Sequence, residues 1–387
     1  MRHHNTLMHE ILKPMPWGAF NRLVDTHKAD KHVRKLSTKN QLIALVHAQL
    51  SGATSLREIE TTMSSHHARL YHLGLAAPKR STLSDANRER PAEVFVALFQ
   101  LLLAKAHPGL QRATQEAVRL IDATSISLNS FSKDWASYEH HSPGVKMHVV
   151  YDPTAEMPVH FAITPQRCSD INSAKAMPIE PGATYVYDLG YYDFSWWAKL
   201  LENGCRFVTR LKTHTRTRLV EERAIPPDVA ARGRIIADRV VKLSSRLKGT
   251  RQHPLPGDLR EIHIIIDTGK MLRIVSSDLT SPAEVIADLY KTRWQIELFF
   301  RWVKQTLKIK KFLGTSENAV RIQLAVALIA YLLLRMGQAT QRAIESPLAF
   351  ARLVRSNLMH FKRIGDLAPP DPLRYDKYAD QLQLNLH

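Results

Sequence analysis

The residues best suited to chemistry crowd into one stretch, Leu289 to Phe312 (LYKTRWQIELFFRWVKQTLKIKKF). Lys291, Arg293, Arg301, Lys304, Lys308, Lys310 and Lys311 are positive there, and Glu297 alone is negative. Wrapped as one helix, Tyr290, Arg293, Glu297, Arg301, Lys304, Lys308 and Lys311 follow at steps of 3, 4, 4, 3, 4 and 3. Such steps put all seven on one face. Trp294, Ile296, Leu298, Phe299, Trp302, Val303 and Leu307 fill the remaining surface, so the expected helix is mostly buried and carries one basic stripe. A stripe of this kind suits a phosphate backbone. Its single acid has two readings: it neutralises Arg293 and Arg301 through i,i+4 pairs, or it holds a metal ion.

Two further carboxylates favour the second reading. Asp122 follows Leu120-Ile121 inside an expected strand, and Asp188 ends the strand-like run ATYVYD just before Gly190. Ligands of open α/β sheets gather at the carboxyl ends of strands. Asp122, Asp188 and Glu297 together are expected to be catalytic and to hold a pair of divalent ions, Mg²⁺ or Mn²⁺. Mg²⁺ takes few protein carboxylates and keeps water and phosphate oxygens as its other ligands. Two such ions activate the attacking oxygen and stabilise the leaving one in an in-line phosphoryl displacement. The surrounding cations, Arg293, Arg301, Lys304 and Lys308, are candidates to hold the phosphate backbone of DNA.

The elements that must position these groups are legible as an alternation. Residues 1 to about 110 read as helices: apolar spacing over Asn40–Ser51, a capping box at Ser55 and Glu58, and a strongly apolar run over Pro91–Ala106. Pro78-Lys79-Arg80-Ser81-Thr82 leads into a short polar segment, with Ser81 or Thr82 as its cap. A basic turn before a short polar helix resembles a helix-turn-helix reader; a solvated helical hairpin fits the same residues. Strands are expected over 117–128, 144–151, 157–164, 183–188 and 206–211, with a helix over 193–203 ended by Asn203-Gly204. Residues 212–280 are rich in Pro and Gly and hold strands at 234–243, 260–267 and 271–277; helices return over 282–310, 320–341 and 348–361. The expected class is α/β, a mixed sheet with helices packed on it. Its divisions are an N-terminal helical DNA-binding domain (1–110), a catalytic core in two pieces (111–211 and 281–315), a β-rich insertion (212–280) and a C-terminal helical segment and tail (316–387).

Composition sets bounds on the rest. Of 387 residues, 54 are Lys or Arg and 36 Asp or Glu, a formal charge of +18. A surplus of that size points to a polyanion, most simply nucleic acid. Two cysteines, Cys168 and Cys205, exclude a disulfide scaffold and a zinc ribbon. The start MRHHN lacks the apolar core of a signal peptide. The apolar stretch Leu324–Leu334 is shorter than the roughly 18 residues a membrane span needs, so a buried helix is expected. A cytoplasmic, nucleoid-associated protein with no membrane partner follows.

The chain resembles the bacterial DDE transposases of the insertion-sequence-4 group. The group's Tyr-(2)-Arg-(3)-Glu-(6)-Lys signature stands intact as Tyr290, Arg293, Glu297 and Lys304. Its two Asp motifs match as Ile121-Asp122-Ala123-Thr124 and Tyr187-Asp188-Leu189-Gly190-Tyr191, and the segments RKLSTKNQL (34–42) and QLSGATSLREI (49–59) resemble its N-terminal part. The resemblance implies an RNase H-like core whose last acid, Glu297, follows a β-rich insertion. It also implies contacts from Tyr290, Arg293 and Lys304 to transposon-end phosphates. The implied partners are double-stranded DNA, as terminal inverted repeats and as target, and a second copy of the chain on paired ends. In one respect the chain departs from the group: residues 212–280 contain no Trp to stack a flipped base, and Trp294 and Trp302 are expected to pack in the core.

Other residues have plainer readings. Asp152 suits a hairpin turn, and Asp170 and Asp193 suit helix N-caps. Asp267 and Asp278 lie in or near the insertion. His140-His141 lacks partners for a zinc site. Lys146 and His148 alternate along a strand, facing DNA or solvent, and the basic pairs in 216–223 and 232–239 are solvated or track a backbone. Two rival functions remain at this level: a DNA-binding protein that lost catalysis, and a host nuclease or recombinase on the same core.

Overall fold

The computed structural model describes residues 5–106, 117–136, 143–243, 255, 257–307, 312–341 and 343–368. Two compact units form, one of residues 107–301, the other of residues 1–106 with 302–387.

The first unit is built on one nine-stranded mixed sheet, in the order β3-β2-β1-β4-β5-β9-β8-β7-β6. Its first half comprises β1 (Val118–Ser127), β2 (Gly144–Asp152), β3 (Met157–Pro165), β4 (Thr184–Tyr187) and β5 (Arg206–Arg210). β1 runs antiparallel to β2 and parallel to β4, and β4 runs parallel to β5. The parallel strands are short and apolar because both faces are covered; all four residues of β4 are buried. Tyr187, Trp196, Trp197 and Phe207 anchor the core beneath this end of the sheet.

The insertion continues the same sheet. β6 (Thr217–Glu222), β7 (Ile235–Leu243), β8 (Leu259–Ile265) and β9 (Met271–Ser276) form an antiparallel meander, and β9 pairs antiparallel with β5. β6 is not among the expected strands: its TRLVEE has only two apolar residues, and it is an exposed edge strand. Exposed edges carry charge for good reason, since charge discourages pairing with another chain.

The second unit is helical. Thr38–Ser51 is buried almost all round, which explains why its apolar pattern is broad and not one-sided. Ser55 accepts from the Glu58 amide at 3.1 Å, while Glu58 reaches back to the Thr54 amide at 2.7 Å, a capping box shifted by one residue. The helix Arg80–Glu89 starts earlier than expected, so Ser81 and Thr82 lie inside it; Glu60 of the preceding helix accepts from the Arg80 amide at 3.1 Å instead. Glu317–Ala339 is the central helix, long and apolar enough to cross a membrane, but its most apolar window is 83% buried within the protein. Asn318 at its start donates to the Asn87 and Arg90 carbonyls at 3.0 and 2.6 Å. Arg90 donates to Gln41 and to the Leu36 carbonyl, and Gln41 to Asn87 at 2.8 Å, so the buried polar groups satisfy one another.

Candidate active site

The parallel register of β1 and β4 fixes the first two acids. Ile121 pairs with Tyr187, the last residue of β4. Asp122 and Asp188 each follow those partners, so the two carboxylates stand side by side where the pairing ends. Asp122 Oδ1 accepts from the Ala123 amide at 2.8 Å, and Asp188 Oδ1 accepts from the Gly190 amide at 2.8 Å. The turn leaves little room for a side chain at Gly190, where a Cβ would lie 3.0 Å from Asp188 Oδ1 and press on the carboxylate.

The third acid arrives on a helix that differs from the expected one. The run Leu289–Phe312 is not one helix. Ala283–Thr292 ends at Arg293, and Trp294–Thr306 begins a second helix. Thr292 donates its hydroxyl to the Leu289 carbonyl at 2.6 Å, a side-chain competitor for the backbone ladder. Arg293 and Ile296 then make three-residue backbone bonds, at 3.3 and 3.2 Å, across the break. Tyr290 therefore closes one helix, Arg293 sits at the break, and Glu297 lies in the first turn of the next, where the helix dipole favours an anion. Ile296, Phe299 and Phe300 are buried, and Phe299 meets Tyr151 of β2 with centroids 5.1 Å apart, which seats the helix on the sheet.

Arg293 joins the acids. Its Nη2 lies 2.7 Å from Glu297 Oε1 and its Nη1 3.7 Å from Asp122 Oδ2, and its guanidinium sits 6.0 Å from the Tyr290 ring centroid. Burial pushes the Asp122 carboxyl up to about 6, helped by like charge on Asp188 and Glu297 and opposed by the Ala123 amide and Arg293. Burial disfavours the Arg293 charge, yet Tyr290, Glu297 and Asp122 outweigh it and hold its pKa above the ordinary value. Burial raises the Tyr290 phenol, with Asp188 adding to it and Arg210 and Arg293 acting against it. The neutral Tyr191 phenol, its hydroxyl buried and without a hydrogen-bond partner among the described residues, adjoins the same acids.

The sequence expectations divide here. Tyr290, Arg293, Glu297, Asp122 and Asp188 come together. Arg301 is exposed two turns from Arg293, Lys304 lies further along the same helix, and Lys308 is outside the described residues, as are His140 and His141. Trp294 is 51% exposed and Leu298 46%, not core as expected. Asp193 does cap its helix, accepting from the Trp196 amide at 2.8 Å. Asp170 does not; it pairs with Lys146 at 3.0 Å, while His148 is wholly buried, so neither basic residue is a solvated sheet residue. Asp152 and Asp278 accept from turn amides and pair with Arg119 and Arg206, which engages both in structure. Arg210, at the end of β5 and beside Tyr290, is not among the expected site residues, because an Arg ending a strand carries no pattern of its own.

Among the described residues no three His, Cys, Asp or Glu side chains are close enough to form a ready metal cage. The donor chemistry nevertheless suits a hard divalent cation: carboxylate oxygens, with Asp122 crowded by like charge and Arg293 spanning Asp122 and Glu297.

The chain is similar to known proteins. The family described as "Transposase DDE domain" matches residues 113–333, and "Domain of unknown function (DUF4372)" matches residues 3–76. "Putative transposase y4zB" of Sinorhizobium fredii is 38% identical over 297 residues, 77% of this chain and 82% of that one. "Probable transposase for insertion sequence element IS5377" of Geobacillus stearothermophilus is 28% identical over 286 residues, 73% and 74% of the two chains. The cryo-EM structure of the piggyBac transposase synaptic complex with hairpin DNA aligns with a TM-score of 0.47 at 12% identity, over 96% of this chain and 84% of that one, a likeness too loose to carry residue assignments. The family match spans more than half the chain and includes both aspartates and Glu297, and the protein belongs to the DDE transposases of bacterial insertion sequences, enzymes that cleave DNA and transfer its strands.

Proposed function

We propose that the protein is a cut-and-paste transposase of the insertion-sequence-4 group, with an RNase H-like core, and that Asp122, Asp188 and Glu297 are its catalytic acids. The observation that carries this reading is the meeting of two chain-distant acids, Asp122 and Glu297, on one arginine beside Asp188. DDE transposase domains are generally dependent on divalent metal. Here the three acids would hold two Mg²⁺ or Mn²⁺ ions, which when bound supply Lewis-acid activation of the attacking oxygen and neutralisation of the leaving one.

The chain's own groups do the positioning. β1 and β4 hold Asp122 and Asp188 at neighbouring strand ends, and the seated helix brings Glu297 to them. Arg293 holds Glu297 and faces Asp122, and with the acids engaged elsewhere its guanidinium would be free to take a DNA phosphate, a bidentate partner well matched to it. Tyr290, Arg301, Lys304 and Lys308 contact the end phosphates with it, and the exposed Trp294 indole beside Arg293 is placed to pack against the substrate.

The domain roles follow the same reading. Residues 1–110 recognise transposon ends, 111–211 and 281–315 form the catalytic core, 212–280 the insertion, and 316–387 a C-terminal segment. The partners are terminal inverted repeats, target DNA and a second copy of the chain on paired ends, in the cytoplasm at the nucleoid. Incubating the protein with Mg²⁺ and the DNA flanking its gene, with products sized on a denaturing gel, tests the reading: nicks at the element's ends are expected, and intact DNA overturns it.

A further inference from the structure

Asp170 occupies a place that no helix cap explains. It follows β3 and begins the helix Asp170–Ala176, yet its carboxylate caps no amide there. Instead β2 holds it through Lys146, with His148 close by. Lys146 Nζ donates to Asp170 Oδ1 at 3.0 Å and to the Cys168 carbonyl at 3.1 Å, tying the loop down. His148, two residues along the same strand and fully buried, aims Nδ1 at that Oδ1 from 3.9 Å. This nitrogen has no hydrogen-bond partner among the described residues, while Nε2 is bonded to Thr164 Oγ1 at 2.8 Å. In the tautomer that accepts from the Thr164 hydroxyl, the neutral imidazole turns Nδ1–H toward the carboxylate without reaching hydrogen-bond distance.

The other carboxylate oxygen faces the catalytic turn. A Cβ on Gly190 would lie 3.2 Å from Asp170 Oδ2 and 3.0 Å from Asp188 Oδ1. Asp188 in turn accepts from the Gly190 amide. Asp170 therefore backs the turn that aims Asp188, and the Lys146 ammonium offsets its charge.

We propose that Asp170 is a positioning residue of the active site: with Lys146 and His148 it fixes the Gly190 turn and so presents Asp188 to the divalent cation. The inference rests on the reading of Asp188 as a metal ligand. Groups that orient metal ligands from behind typically change metal affinity by about 10–100-fold when removed.

The test is calorimetric titration of the full-length protein with Mn²⁺ alone, without DNA, alongside thermal unfolding of each variant. Asp170→Ala is expected to weaken Mn²⁺ binding by about ten-fold or more, and Asp170→Asn, which keeps an oxygen for Lys146, to recover much of that loss. Gly190→Ala, whose methyl would press on both carboxylates, carries the same expectation should Asp170→Ala fail to fold. Unchanged Mn²⁺ affinity in these variants overturns the inference, as does an affinity loss that only tracks the melting temperature and is not relieved by Asn. A wild-type protein whose Mn²⁺ uptake is absent, or is untouched by Asp188→Asn, overturns the metal reading itself and this inference with it.

Discussion

β1 touches two arginine–carboxylate clusters that use the same chemistry to opposite ends. Arg119, on the strand itself, is 4% exposed and bonds Asp152 at 2.8 Å and Glu180 at 2.6 Å, the latter through two nitrogens. Three residues along, Asp122 meets Arg293, whose side chain is 17% exposed, at 3.7 Å, and Arg293 meets Glu297 at 2.7 Å. The first cluster is closed: short contacts, an arginine out of water, and Asp152 also occupied by the Thr154 and Ala155 amides. The second is open, with Glu297 30% exposed, Asp188 adding a third acid, and Asp122 pushed to about 6 by burial and its neighbours. Crowded, unbalanced carboxylates at a strand end are poor structural members, and perturbed groups of this kind gather at functional sites. The geometry of closure, more than residue type, separates the two.

The acids should separate the clusters most widely. Glu297→Gln removes a charge from the open cluster; Glu180→Gln removes one from the closed cluster. Cleavage of end DNA should fall about a thousand-fold or more in the first, the several kcal/mol expected when transition-state charge is left without its support. In the second, the cleavage rate per folded molecule should be nearly unchanged. A gel assay with radiolabelled ends reads both. Comparable reductions would mean that the closed cluster is catalytic after all; full activity of Glu297→Gln would end the assignment of that acid.

The arginines should show the reverse ranking in stability. Arg119→Met strands the buried Asp152, and breaking such a pair typically costs about 3–5 kcal/mol. Arg293→Met leaves acids that reach solvent, Asp122 at 18% and Glu297 at 30% exposure, so its melting temperature should move less. Equal destabilisation in thermal melts would erase the distinction between closed and open.

The acids of the open cluster are legible in the chain itself, the closed cluster of Arg119 and Glu180 is not, and the gaps have physical causes. Asp122 and Asp188 stand out because each follows apolar strand-like residues, Leu120-Ile121 before the first and Tyr185-Val186-Tyr187 before the second. The acid on its basic helix stands out by spacing. The break at Arg293 does not, because a one-residue interruption leaves the helical period almost intact, and only the Thr292 hydroxyl bond betrays it. β6 is hidden by its charges, as edge strands usually are. Asp170 reads as a cap because an acid at a helix start fits one, while its true partners, Lys146 and Gly190, are 24 and 20 residues away in sequence.

A third contrast sets paired buried charge against a buried base with one ring nitrogen unbonded among the described residues. His47, in the helical unit, is 3% exposed, and its Nδ1 is unbonded among the described residues. Burial lowers its pKa from 6.5 to about 4, with His66 adding to the effect. The unfolded chain therefore binds the proton more readily than the folded one, and stability rises with pH in that window. The contribution is complete above pH 6.5 and is lost as pH falls to about 4, on the order of 3 kcal/mol. Chemical denaturation at pH 7 and pH 4.5 should show a smaller drop for His47→Leu than for the wild type. An equal drop would place the acid sensitivity elsewhere.

The smallest effect concerns cations that belong to neither cluster. Lys304 shares the helix of Glu297, whereas Lys175 pairs with Asp193 at 2.7 Å on the surface of the sheet unit. If the open cluster works on DNA, the cations that serve it must touch phosphate, and removing one of them should lower the salt slope of binding by about 0.9. Lys304→Ala should therefore weaken end binding modestly and flatten its dependence on salt, while Lys175→Ala should leave both unchanged. Fluorescence anisotropy at several salt concentrations separates the cases. A weakened sequence preference at a constant slope would make Lys304 a reader of bases, since phosphate contacts set position and carry no sequence. An unchanged isotherm for Lys304→Ala would confine the DNA face of the open cluster to its other proposed contacts, Arg293, Tyr290 and Arg301 among them.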